Sequence, residues 1–191
     1  KSYMNGIEAY LSDHFPFRIN WVKAKMTAER LSGKSAINNI YICSDRMIEK
    51  LPEPDYREIN LSVNAVNKFS DTYDTEVYAL IAPTSAGIYG DELKDYFPQI
   101  NQKSLIADIY NKLNEDIGVI DIWDAMYTER DKYLYYRTDH HWTSEGAFTA
   151  YKYAAKKMGI TSFEDYDIIH VSSDFRGTFY SKCLYEDRKS T

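Results

Sequence analysis

Three residues able to do acid–base or metal chemistry stand side by side. They are Asp139, His140 and His141, within Tyr135-Tyr136-Arg137-Thr138-Asp139-His140-His141-Trp142-Thr143-Ser144-Glu145-Gly146-Ala147. Histidine titrates near neutrality, and a carboxylate beside it can fix its tautomer and stabilise the imidazolium. In that reading His141 is a general base and Asp139 its orienting partner. A second reading makes Asp139, His140 and His141 metal ligands. Adjacent histidines rarely both reach one ion, and no further His or Cys stands at ligand spacing, so a metal-dependent hydrolase is the weaker alternative. A third reading has the histidines satisfying loop backbone groups. The residues alone leave all three open.

Other candidates surround this cluster. Ser85 follows Ala82-Pro83-Thr84 just past an apolar run, where a nucleophile could be presented. No Gly-x-Ser-x-Gly elbow exposes it, and Pro83 and Gly87 more simply mark a turn. Ser144 lies in a first helical turn, and Ser173 in a polar Ser-Ser-Asp turn. Arg137 could pair with Asp139 or with a substrate carboxylate. Tyr133, Tyr135 and Tyr136 stand in a strand-like run. Alternation places Tyr133 and Tyr135 on one face and Leu134 and Tyr136 on the other, one face lining a sugar-sized groove and the other packing.

The elements that must position these residues follow from patterning. Thr143 suits a helix N-cap and Glu145 the first turn, near the positive end of the dipole. The helix beyond is expected to bury Phe148, Tyr151, Ala155 and Met158. Upstream, the apolar run Val77 to Ala82 reads as a buried strand, Leu105, Ile106, Ile109 and Leu113 as a helix, and Val119 to Ile122 as a second buried strand. That is a βαβ unit with parallel strands, and ligands bind beyond the carboxyl ends of such strands. Ile40 to Cys43 and Met47 to Glu49 read as short strands joined by a turn. Leu51-Pro52-Glu53-Pro54 leads into a helix with Ile59, Val63, Val66 and Phe69 on one face. Met4 to Leu31 reads as a helical arm broken at Phe15-Pro16-Phe17-Arg18. The expected organisation is an N-terminal helical arm over residues 1–35 and an α/β domain over 36–191.

Bulk properties narrow the function. A net charge of −6 with no basic block disfavours nucleic-acid binding. Two cysteines do not make a disulfide framework, and pairing of Cys43 with Cys183 stays open. No apolar run is long enough to span a bilayer. The opening Lys1 in place of Met leads to the expectation of further chain upstream of residue 1. Eighteen tyrosines in 191 residues fit stacking faces for sugars or partners as well as core edges.

The string from Tyr135 to Ala147 resembles the signature of the DHHW proteins, an SGNH-hydrolase-like family. It is also similar to the Asp-x-His-Trp block of the alginate O-acetylation acyltransferases. Phe15 to Arg18 resembles that group's N-terminal arm, Ala82 to Tyr89 its loop after a central strand, and Phe175-Arg176-Gly177-Thr178 a segment beyond the His block. The resemblance implies a three-layer α/β/α, flavodoxin-like parallel sheet. It implies Asp139 and His141 as the acid–base half of a Ser-His-Asp triad. Trp142 would position or pack, and Arg137, Trp142, Tyr136 and Ser85 become candidate substrate contacts. It further implies an esterase or O-acetyltransferase acting on a cell-surface polysaccharide or small acyl ester, outside the cytoplasm, with a membrane tether upstream of residue 1. No cofactor and no metal are expected. In that group the serine follows the His block on a Gly-Asp-Ser-like turn, which this chain lacks. The sheet is therefore expected to be incomplete, with the nucleophile-bearing part missing and an edge free for oligomer formation. The alternative is a non-catalytic glycan- or partner-binding remnant.

Overall fold

The computed structural model of the chain describes residues 16–34, 36–93, 100–164, 166–172 and 174–183. Helix α1 (Arg18–Leu31) precedes a ribbon of three short antiparallel strands, β1 (Ala36–Ile37), β2 (Ile40–Ile42) and β3 (Met47–Glu49). β1 turns into β2 through Asn38 and Asn39, both at positive φ, 49° and 62°. Two such residues make the two-residue hairpin loop whose twist matches its strands, and asparagine tolerates it. Helix α2 (Tyr56–Thr72) opens on Asp55, whose carboxylate accepts from the Arg57 and Glu58 N–H groups at 3.0 and 3.2 Å. Strands β4 (Tyr78–Leu80) and β5 (Gly118–Ile120) pair in parallel. Between them lie α3 (Ser85–Tyr89), a 3-10 turn (Gly90–Leu93) and α4 (Gln102–Tyr110), so the expected strand–helix–strand unit is present. The chain continues through α5 (Trp123–Thr128), α6 (Ser144–Lys157) and α7 (Thr178–Cys183). Residues 4–15 of the expected arm lie outside the described residues.

The ribbon stands between two apolar clusters because successive strand residues point to opposite faces. Ile48 is fully buried in the main cluster with Ile88, Ile120, Ile122, Trp123, Met126, Leu134 and Tyr135. Its neighbour Met47 is buried on the other side with Met26 of α1, Ile37, Ile40, Phe179 and Cys183. Each such side chain contributes roughly 1.5–3 kcal/mol by leaving water. Cys43 and Cys183 are not bonded to each other, and burial pushes the Cys183 thiol up to about 11 although Lys182 pulls it down. The Tyr110 hydroxyl joins the carboxyl ends of the parallel pair. It accepts from the Ile81 N–H at 2.8 Å and donates to the Ile120 carbonyl at 3.2 Å. Among the described residues no helix is long and apolar enough to cross a membrane.

Three expectations about buried faces need correction. The parallel strands are not fully buried: Tyr78 and Leu80 are exposed on one face and Val119, paired with Ala79, on the other, because the packed helices leave part of each face uncovered. Helix α2 buries Val63 and Ser70 and leaves Phe69 exposed. It docks through polar contacts, Ser70 donating to Asp116 and the Asn67 amide oxygen accepting from the Asn114 N–H at 2.9 Å. Helix α6 buries Gly146, Thr149, Ala150 and Ala155, while Tyr151 and Met158 are exposed. Small residues let this helix approach closely: a Cβ on Gly146 would sit 3.0 Å from the Leu134 carbonyl carbon and against its oxygen. The Phe148 ring packs beside the Tyr166 ring, centroids 4.4 Å apart.

Replacing Gly146 by Ala should push α6 off Leu134. The expected loss is about 1–3 kcal/mol of unfolding free energy, the usual cost of overpacking, measured by urea titration.

Candidate active site

The Asp139 segment is the tip of a small antiparallel hairpin. Tyr135 pairs with Trp142, the Tyr136 N–H donates to the His141 carbonyl at 3.2 Å, and the Thr143 N–H to the Leu134 carbonyl at 2.9 Å. Cross-strand partners share a face. Tyr135 and Trp142 therefore turn together toward the main cluster, and Tyr136 and His141 turn together away from it. Thr143 closes the hairpin, donating to the Tyr133 carbonyl and accepting from the Gly146 N–H at 3.2 Å as the N-cap of α6.

Four elements hold the hairpin. The Met47 N–H of β3 donates to the Arg137 carbonyl at 2.7 Å. The buried Tyr135 hydroxyl donates to the Pro83 carbonyl in the loop after β4 at 2.6 Å. Burial holds that hydroxyl well above the usual tyrosine range. Helix α6 is capped from the hairpin itself. The fourth element is the segment entering α7. The Gly177 N–H donates to the Thr138 hydroxyl at 3.1 Å, and the Phe179 N–H to the Thr138 carbonyl at 3.0 Å. Gly177 must lack a side chain, since a Cβ there would lie 2.6 Å from both Asp139 Oδ2 and the Thr138 oxygen.

These contacts put Asp139 in a cradle. The residue is 5% exposed although it stands at a hairpin tip. Oδ2 accepts from the Thr178 N–H at 2.7 Å, and Oδ1 accepts from the His141 N–H at 3.0 Å. Oδ1 also lies 2.6 Å from His141 Nδ1. A carboxylate can only accept, so Nδ1 carries the proton and Nε2 is left with a lone pair. Burial pushes the Asp139 carboxyl up, but the Thr178 and His141 N–H groups, the Thr178 hydroxyl and the His141 ring outweigh it. They hold the group well below the usual carboxylate range. The His141 side chain is 68% exposed, which leaves its far edge open to an incoming group. His140 is half-exposed, its Nδ1 3.4 Å from the same Oδ1, so these three residues bring donor atoms within 4.8 Å of one another.

The other predicted residues divide. Trp142 is half-buried against the main cluster. Tyr136 is half-buried, its ring 4.7 Å from that of Phe175. Arg137 is exposed at the tip and makes no ion pair with Asp139; its guanidinium lies 5.7 Å from the centre of the Tyr133 ring. Ser85 is buried at the start of α3, and no hydrogen bond joins it to His141. The expected tyrosine alternation fails. The Leu134 N–H bonds back to the Lys132 carbonyl at 2.9 Å, a turn centred on Tyr133. That turn sends Tyr133 to the side of Tyr136, ring edge to ring face at 6.1 Å, while Leu134 and Tyr135 are both buried. Tyr133, Tyr136, Ser144, Glu145, His170 and Phe175 line part of a groove of about 550 Å³.

Sequence reasoning missed several supports. Thr138 is fully buried, and Thr178 holds Asp139. Gly177 was a readable signal, because glycine often marks close backbone approach. Arg46 forms a bidentate pair with Asp45 and lies 3.5 Å over the Tyr89 ring, which in turn meets Tyr135 edge-on at 6.0 Å. No spacing rule connects those positions.

The Asp139 carboxyl gives a pH test. Its folded value lies below the unfolded value near 3.9, so its stabilisation is complete above about pH 4 and drains away as pH falls toward the folded value. Asp139→Asn should cost about 1.5–3 kcal/mol at neutral pH, the range for hydrogen bonds to a charged group. Denaturant melts at stepped pH should show the gap to the wild-type chain narrowing below about pH 4.

Comparison with known proteins gives the family and fold relatives. A family model described as DHHW protein matches residues 55–187. A DHHW family protein from Eubacterium siraeum superposes with a TM-score of 0.63 at 24% identity, covering 78% of this chain and 49% of that one. The O-acetyltransferase domain of Pseudomonas putida AlgJ gives 0.57 at 16% identity, covering 75% and 57%. Bacillus cereus PatB1 gives 0.54 at 23%, covering 63% and 42%. The chain thus spans about half the length of these solved relatives. No curated protein sequence matches it. With the family model matched over more than half of the chain, this protein belongs to the DHHW family.

Proposed function

We propose that this chain carries the acid–base half of an acyl-transfer site, for O-acetyl transfer to, or ester cleavage from, a polysaccharide outside the cytoplasm. The observation that carries the reading is the 2.6 Å contact between His141 Nδ1 and a buried, N–H-bound carboxylate, with the far edge of the ring exposed. In this reading Nε2 takes the proton of a serine hydroxyl as its oxygen adds to the acetyl carbonyl carbon. The tetrahedral oxyanion then collapses, and the leaving alcohol recovers the proton from Nε2. Asp139 fixes the ring and stabilises the imidazolium formed in between. The serine would come from outside these 191 residues, on strands that complete a three-layer α/β/α sheet beside β4 and β5. The outer edges of β4 and β5, unpaired among the described residues, favour such strands, and the exposed Tyr78, Leu80 and Val119 favour helices that would cover the faces.

The groove supports a sugar acceptor. Tyr136 shares the outward face of the hairpin with His141, and Phe175 packs against it. Tyr133 lines the same groove, and its buried hydroxyl has no hydrogen-bond partner among the described residues. Aromatic faces with polar tips suit pyranose rings. The AlgJ domain, named an O-acetyltransferase, favours transfer over simple hydrolysis.

The test uses a protein extended to the length of its solved relatives and 4-nitrophenyl acetate as donor. His141→Ala should abolish turnover, and Asp139→Asn should lower it by about 10⁴-fold, as for a base held in the wrong tautomer. Tyr136→Ala should leave turnover of the small ester intact and raise KM for an oligosaccharide acceptor roughly fivefold to tenfold, the worth of one aromatic contact. Turnover that survives His141→Ala would overturn the proposal, and an inactive extended protein that still binds glycan would favour a binding module.

A further inference from the structure

The same three residues that orient the base also converge on one point, and convergence of this kind suits a cation. Asp139 Oδ1 lies 2.6 Å from His141 Nδ1 and 3.4 Å from His140 Nδ1. The two imidazoles lie nearly side by side, centroids 3.9 Å apart and planes at 37°. The His140 nitrogen faces this carboxylate oxygen without a role in the proposed acyl transfer. A divalent ion in place of protons on the two nitrogens would engage both of them and the oxygen. The donor atoms lie within 4.8 Å of one another. Both histidine side chains are half-exposed or more, so their rings can shift by the ångström or so that metal–nitrogen bonds of about 2.0–2.1 Å require, His141 moving away from Oδ1 to admit the ion.

We propose that Asp139, His140 and His141 form a binding site for a divalent transition cation of the zinc or copper class, and that this cation switches off the base. Two imidazoles and one carboxylate are borderline ligands that favour zinc and copper over magnesium or calcium. The carboxylate is already fixed by the Thr178 N–H, so the site needs little ordering on the Asp139 side. Binding at His141 Nδ1 forces the ring proton onto Nε2. The neutral imidazole keeps one proton throughout, but the lone pair that would accept a serine proton is gone. Only this inhibitory half rests on the proposed function; the site itself does not.

His140 has no place in the proposed catalytic machinery, which makes it the residue to change. Zinc chloride titrated into this chain by calorimetry should bind at one ion per chain. His140→Ala should weaken that binding by more than about tenfold, since loss of an outer partner alone costs 10–100-fold. His170→Ala, which removes an exposed histidine on a different segment, should leave it unchanged. Copper(II) electron paramagnetic resonance should show two coordinated nitrogens in the wild-type chain and one in His140→Ala. Equal zinc affinity in wild type and His140→Ala, or a copper spectrum with the same nitrogen count in both, would overturn the site. In the extended protein, zinc should suppress ester turnover in the wild type and not in His140→Ala. Zinc bound at this site with turnover unaffected would overturn the switch.

Discussion

A carboxylate taken out of water survives as an ion only if the protein replaces its lost hydration, and Asp139 is where this protein meets that demand. The N–H of Thr178 and the N–H and ring of His141 supply the replacement. Much of the local architecture follows. Gly177 is needed because the chain entering α7 must pass within van der Waals reach of the carboxylate. Thr138 is buried because its hydroxyl and carbonyl tie that same chain down. The hairpin from Leu134 to Thr143 sets the turn that lets His141 fold back onto the residue two positions before it.

The surroundings make this cradle stiff. β3 reaches it through Met47, the post-β4 loop through Tyr135, and α6 through Thr143. Each tie is a hydrogen bond from a buried or half-buried group, and such bonds are costly to leave unmade. An imidazole oriented by a fixed carboxylate loses little entropy when it accepts a proton, the usual requirement for acid–base work. The His141 ring, the base of the proposed reaction, stays at the surface while its support is buried.

How much of this was legible in the sequence depends on the range of the interactions. Thr143 as an N-cap, the β2–β3 turn and the strand–helix–strand order were readable, because each is written within a few residues. The resemblance implied that Asp139 and His141 act as a pair, and the structure brings Oδ1 within 2.6 Å of Nδ1; their roles belong to the proposed function. The burial of Asp139 was not readable, since it depends on residues 177–179, nearly forty positions away. The buried face of α6 was misread because Phe148, Tyr151 and Met158 look like a core stripe. Gly146 instead brings the helix close on its small-residue side. The tyrosine alternation failed at the turn on Tyr133, and the exposure of β4 and β5 reflects which helices pack over their faces. Helix packing is not a local property of either segment.

The central claim is the tautomer of His141, with the proton on Nδ1 facing Asp139 and the lone pair on Nε2. Long-range ¹H–¹⁵N spectra of the ¹⁵N-labelled chain report it directly, above the pH at which the ring loses its second proton. The expected result is a protonated Nδ1 and a bare Nε2, with the balance shifting in Asp139→Asn. A ring protonated at Nε2 in the wild-type chain would contradict it, because no lone pair would then face an incoming hydroxyl.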